Sequence, residues 1–125
     1  MSGVDPQSVA LRFNELINAR DLDGLVACMS EHYTFIDALD SVETGKQHGI
    51  ASWRAFFEQF PDYRNVFERV LSRGNLVVMA GYSTCSFGPL DGPALWTARV
   101  SAEKVEEWRV YDDTPQNRQL LGLSG

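Results

Sequence analysis

A chain of 125 residues with 44% hydrophobic and 22% charged side chains has the size and apolar content of one globular domain with a core of its own, not of a tail, a fibre or a small stapled scaffold. Its net charge of −6, with no cluster of Lys or Arg, argues against nucleic acid and anionic membrane as partners and leaves proteins and small molecules. No run of about 18 apolar residues occurs, and the start MSGVDPQSVA has neither a basic leader nor an apolar block, so a single soluble, cytoplasmic domain over residues 1–125 is expected. The two cysteines, Cys28 and Cys85, lack CxxC spacing and are expected as small packed side chains, not as a disulfide or zinc pair.

Asp5 before Pro6 signals a helix start, and Val9, Phe13, Leu16 and Ile17 follow at helical spacing. A second short helix is predicted from Asp21, with Leu22, Leu25, Val26 and Met29 on one stripe, giving way before His32 to the strand YTFIDALD at 33–40. A turn-rich interval reaches Gly49. Ile50, Trp53, Phe56, Phe57 and Phe60 then form an aromatic helix face that Pro61 ends.

Beyond Pro61 the period becomes extended. Strands are predicted over 65–71 and 76–87, joined by the turn SRGN, and GPLDGP at 88–93 is a loop. ALWTARV and VEEWRVYDD form a hairpin across SAEK, and Thr114 caps a short closing helix. Helices first and strands second give an α+β domain: a cone of N-terminal helices packed on a curved, mostly antiparallel sheet. The aromatic residues either fill the cone, the reading sequence alone favours, or line a pocket for an apolar ligand.

Two acids stand out. In the strand YTFIDALD, alternation puts Tyr33, Phe35, Asp37 and Leu39 on one face, so a carboxylate interrupts an apolar stripe and must be neutralised, hydrogen-bonded or open to water. In VEEWRVYDD, Glu106, Trp108, Val110 and Asp112 share a face, opposite Val105, Glu107, Arg109, Tyr111 and Asp113. Desolvation beside Trp108 would prepare Asp112 for proton transfer near neutral pH, while Asp113 is read as ordinary. The alternative is that each acid lies at a strand end, solvated or capping a turn. No GxGxxG, GxxxxGK[ST] or HExxH occurs, GYSTC lacks the second glycine of a nucleophile elbow, and His32 and His48 share no face with a carboxylate. No metal and no cofactor are expected.

The ARDLDGL helix end, TFIDALD, the GKQHGI turn into WRAFFEQFPDYR, VEEWRVYDD and the closing QLLGL together resemble the nuclear transport factor 2 like superfamily, in its SnoaL-like polyketide cyclase and ketosteroid isomerase branch. The resemblance covers nearly the whole chain. It implies a cone with an apolar cavity, usually dimeric through the sheet. Asp112 then matches the aspartate used as general acid/base by such cyclases, and Asp37 resembles the base that moves a proton between carbons in the isomerases. Phe13 stands where those isomerases carry a donor tyrosine, and no acid is available near Trp96, the region of their second donor. The Arg-x-Asp step of a limonene epoxide hydrolase is absent, since Ser101 follows Arg99 by two.

The leading expectation is therefore a SnoaL-like protein that binds a small apolar carbonyl compound among Phe13, Tyr33, Phe35, Trp53, Phe57, Trp96 and Trp108 and moves protons as a cyclase or isomerase. The competing expectation is a non-catalytic ligand-binding or dimerisation module of the same fold. A homodimer through the outer sheet face is expected in either case.

Overall fold

The computed structural model describes residues 5–123. Helix α1 (Pro6–Ala19) starts as its sequence dictates: Asp5 accepts from the Gln7 amide at 3.4 Å, with Pro6 at the first position. Helix α2 (Leu22–Cys28) is capped by Asp21, which accepts from the Gly24 amide at 2.9 Å. The chain passes directly into β1 (Met29–Ile36), so Met29 opens a strand instead of closing a helical stripe. After a turn come β2 (Val42–Thr44) and α3 (Lys46–Gln59), where a later helix start and no strand were expected.

The rest is strand: β3 (Arg64–Arg73), β4 (Leu76–Thr84), β5 (Gly92–Ser101) and β6 (Lys104–Asp112), with a single 3-10 turn at Gly88–Leu90. Helix α4 (Pro115–Leu120) closes the described chain, with Thr114 accepting from the Asn117 amide at 3.1 Å. The six strands form one sheet in the order β2-β1-β6-β5-β4-β3, antiparallel except for β1 beside β6. The expected architecture holds: helices cover the concave face of a curved, mostly antiparallel sheet.

The register shifts at three places in that sheet, once in β1 between Met29 and Thr34 and twice at single extra residues. In β3 the register steps between Phe67 and Arg69, and in β6 Arg99 pairs with Glu107 while Val100 pairs with Val105. Glu68 and Glu106 are the extra residues, and each resets which side chains face inward. Val105 therefore lies in the same core as Trp108, not on the opposite face that strict alternation assigns it. Gly81 pairs with Phe67 at the first bulge, and a Cβ there would stand 1.9 Å from the Val66 carbonyl oxygen. Only glycine lets the two backbones meet so closely.

The main core lies between α1 and the concave face. Val9, Phe13, Leu16 and Ile17 of α1 belong to one cluster with Met79, Trp96 and Trp108 of the sheet. A smaller cluster covers the convex face, where Leu121 and Leu123 bury Val78, Ala80 and Leu95. The chain's own C-terminal segment thus occupies part of the outer face on which two-fold pairing was expected. Among the described residues no helix is long and apolar enough to cross a membrane.

Candidate functional site

Beyond the filled part of the cone, the open end holds a cavity of about 610 Å³, within the usual range of small-molecule sites. Its wall comes from β1 (Tyr33, Phe35), α3 (Ser52, Trp53, Phe56) and β6 (Trp108, Val110). Tyr63, Leu90 and the segment 37–39 complete it, with Glu43 of β2 at the side. The cone is therefore not filled, contrary to the reading sequence alone favours.

Close approach of α3 to β1 shapes this wall. A Cβ on Gly49 would stand 2.6 Å from the Tyr33 ring, so the missing side chain lets the helix rest on the aromatic face. Tyr33 is fully buried, and its oxygen accepts from Trp53 Nε1 at 3.1 Å. Burial pushes the Tyr33 phenol up, against the Trp53 bond, and the nearby Glu43 charge raises it further. Tyr33 is thus a neutral phenol. Arg20 fixes the other end of α3, donating to the carbonyls of Phe60 (3.4 Å) and Tyr63. Burial also raises the Tyr63 phenol, whose oxygen lies 3.3 Å from Ser83 Oγ. Ser83 in turn donates to Asn65 Oδ1 at 2.8 Å, so GYSTC contributes a buried structural hydroxyl and no nucleophile.

Four of the seven side chains expected in the ligand wall line the cavity: Tyr33, Phe35, Trp53 and Trp108. Phe13, Phe57 and Trp96 stand behind it. Phe13 and Trp96 are completely buried in the core, and Phe57 packs on Trp53 with ring centroids 5.6 Å apart. Helical and strand periodicity identify a face, but not which of its residues reach the open end.

Asp37 is hydrogen-bonded, which answers one of the three alternatives left open for it. Strand β1 ends at Ile36, and Asp37 Oδ1 accepts from the amides of Leu39 (2.8 Å) and Ser41 (3.0 Å) in the turn that follows. It lines the cavity while holding that turn together. Leu39 shares no buried stripe with it, being 86% exposed.

Asp112 lies elsewhere. Its side chain is exposed at the end of β6, opposite Ala94, and it does not line the cavity. The burial on which its proton-carrying role was argued is absent. Asp113 is not ordinary either: Arg118 grips it at 2.6 and 2.9 Å and holds its carboxyl below the usual range. Arg109 does point away from Asp112, and binds Asp40 at 2.8 Å beside the Asp37 turn.

Glu43, Ser52, Gln59 and Tyr63 are the polar wall residues that sequence reasoning missed. Glu43 lies opposite Phe35 in the β1–β2 pair. Its Oε1 accepts from Ser52 Oγ at 2.8 Å, and its Oε2 lies 3.7 Å from His48 Nε2. Asp37 and Glu43 are the charged residues of the wall, which among the described residues contains no Lys, Arg or His. Among the described residues no group of three or more His, Cys, Asp or Glu is placed to hold a metal.

Comparison with known proteins fits this architecture. A SnoaL-like protein from Shewanella putrefaciens CN-32, proposed to be a polyketide cyclase, superposes with a TM-score of 0.76 at 18% identity, over 98% of this chain and 89% of that one. An LEH-like epoxide hydrolase of M. tuberculosis gives 0.76 at 17% identity, over 94% and 88%. An NTF2-like protein of unknown function from Cytophaga hutchinsonii ATCC 33406 gives 0.71 at 15%, over 96% and 97%. At these identities the likeness speaks for the fold alone. No curated protein matches the chain. The SnoaL-like domain family, however, matches residues 10–114, most of the chain. With the cone, the mixed sheet and the open-ended cavity already described, this protein belongs to the SnoaL-like domain family and has a nuclear transport factor 2 like fold.

Proposed function

We propose that this protein binds a small, largely apolar carbonyl compound in the cavity and moves a proton on it by acid/base catalysis, in the manner of a cyclase or isomerase. The cavity itself carries the reading: about 610 Å³ of space walled by Tyr33, Phe35, Trp53, Phe56 and Trp108, with carboxylates at its side and rim. Aromatic walls supply the affinity for an apolar body. A carboxylate beside them is a base of the kind that proton abstraction next to a carbonyl requires. The polyketide cyclase assignment proposed for the Shewanella relative supports the same class.

The second reading, a binding module without chemistry, is favoured by one observation. Phe13 and Trp96 place apolar bulk deep in the core, and Asp112 lies outside the cavity. Hydrogen–deuterium exchange at the methyl group of acetophenone, followed by NMR in D₂O, separates the two. The enzyme reading expects exchange at least about tenfold above buffer, a modest part of what acid/base catalysis supplies. Binding without exchange supports the module. Absence of binding contradicts both.

A further inference from the structure

Within the cavity two carboxylates compete for the role of proton carrier, and their surroundings differ. Asp37 has an oxygen committed to two backbone amides, at 2.8 and 3.0 Å, so its charged form holds the 37–41 turn closed. Charge-assisted bonds to amides are among the stronger ones. Asp37 Oδ1 is committed to the turn, and its Oδ2 has no hydrogen bond among the described residues.

Glu43 is held differently. One oxygen takes a single bond from the Ser52 hydroxyl at 2.8 Å, and no hydrogen bond to the other is formed among the described residues. His48 approaches that second oxygen only to 3.7 Å, with both side chains substantially exposed, an arrangement of little energetic weight. The carboxylate stands beside Phe35, its cross-strand partner, and near the neutral Tyr33 phenol that Trp53 holds in place. One oxygen is anchored by Ser52, and the residue lines the cavity together with Tyr33, Phe35 and Trp53.

We propose that Glu43 is the catalytic carboxylate of this cavity: it takes a proton from the carbon next to a bound ketone's carbonyl, exchanges that proton with solvent as the half-exposed carboxylic acid, and delivers one back to carbon. The C–H electron pair becomes the C=C bond of an enolate, and the carbonyl π pair moves to oxygen. Reprotonation by the Glu43 carboxylic acid reverses both shifts. No electron is gained or lost, and no cofactor enters. This assignment rests on the function proposed above and names the residue that performs it.

The same acetophenone exchange measurement, run on variants, tests it. Glu43→Gln keeps the side chain's size and its acceptor for Ser52 but removes the base. Exchange should fall by about a hundredfold or more, the usual share of a general base, while acetophenone binding measured by calorimetry persists. Asp37→Asn keeps an acceptor for the turn and should lower exchange at least about tenfold less than Glu43→Gln does. Exchange that survives in Glu43→Gln but collapses in Asp37→Asn overturns the assignment and leaves the proposed function standing. Exchange unchanged in both variants overturns it likewise. A native protein that binds the ketone without exchanging its protons overturns the assignment together with the reading on which it rests.

Discussion

Replacing Phe13 by alanine should lower the free energy of unfolding by about 3–5 kcal/mol, the range for losing a buried aromatic ring. Phe13 is completely buried, and its ring centre lies 4.9 Å from Trp108, 6.0 Å from Tyr33 and 6.4 Å from Trp53. It is the point at which α1 meets the rings that back and line the cavity. Truncation removes both the transfer free energy and the contacts of three neighbours, which cannot all collapse into the gap while Tyr33 is bonded to Trp53. Urea unfolding of the native and Phe13→Ala proteins measures the difference. A loss under about 1 kcal/mol would mean that the ring is not the packed core element described.

Gly81→Ala should be almost as severe, at about 3 kcal/mol or more, the upper end of the cost of overpacking. The added carbon would meet the Val66 carbonyl oxygen at 1.9 Å and the Phe67 Cα at 3.0 Å, and these are backbone atoms of a paired strand. No rotamer change can relieve the clash. The strands must part at the Glu68 bulge, which flattens the curve that makes the concave face. Gly74 provides the contrast, since a Cβ there meets nothing within 4 Å and only the left-handed backbone, with φ of 59°, opposes it. Gly74→Ala should cost about 1–2 kcal/mol. Equal losses at the two positions would contradict the role given to the bulge.

The helices were legible because their signals are local. Asp5 with Pro6, Asp21 and Thr114 each accept from an amide in the first turn, where the sequence places a cap. The sheet was legible in outline and misread at two points for one reason: alternation assumes an unbroken period of two. Glu68 and Glu106 break it, and no residue type announces a bulge, so Val105 changes face.

The site was legible in its walls and less so in its chemistry. Tyr33, Phe35, Trp53 and Trp108 share inward faces that periodicity reveals. Depth along an element is set by tertiary packing. Asp112 follows Trp108 on the same side of β6 but lies at the strand's exposed end, while Asp37 falls one residue past the end of β1. Glu43 lies on a three-residue strand with no apolar alternation, exposed on either side of it. The one available signal was the helical spacing that sets Ser52 four residues before Phe56 on α3, where both line the cavity.

That the cavity at the open end of the cone is the ligand site is tested most directly by its tryptophans. Trp53 and Trp108 line it, whereas Trp96 is buried behind it with an indole N–H that has no partner among the described residues. The chain's three tryptophans give three indole N–H resonances. Titration of ¹⁵N-labelled protein with acetophenone should shift the signals of Trp53 and Trp108, the former also through its bond to Tyr33, and leave Trp96 and the convex-face amides of Val78 and Leu95 in place. Shifts confined to the convex face, or none at saturating ketone, would contradict the assignment of this cavity as the binding site.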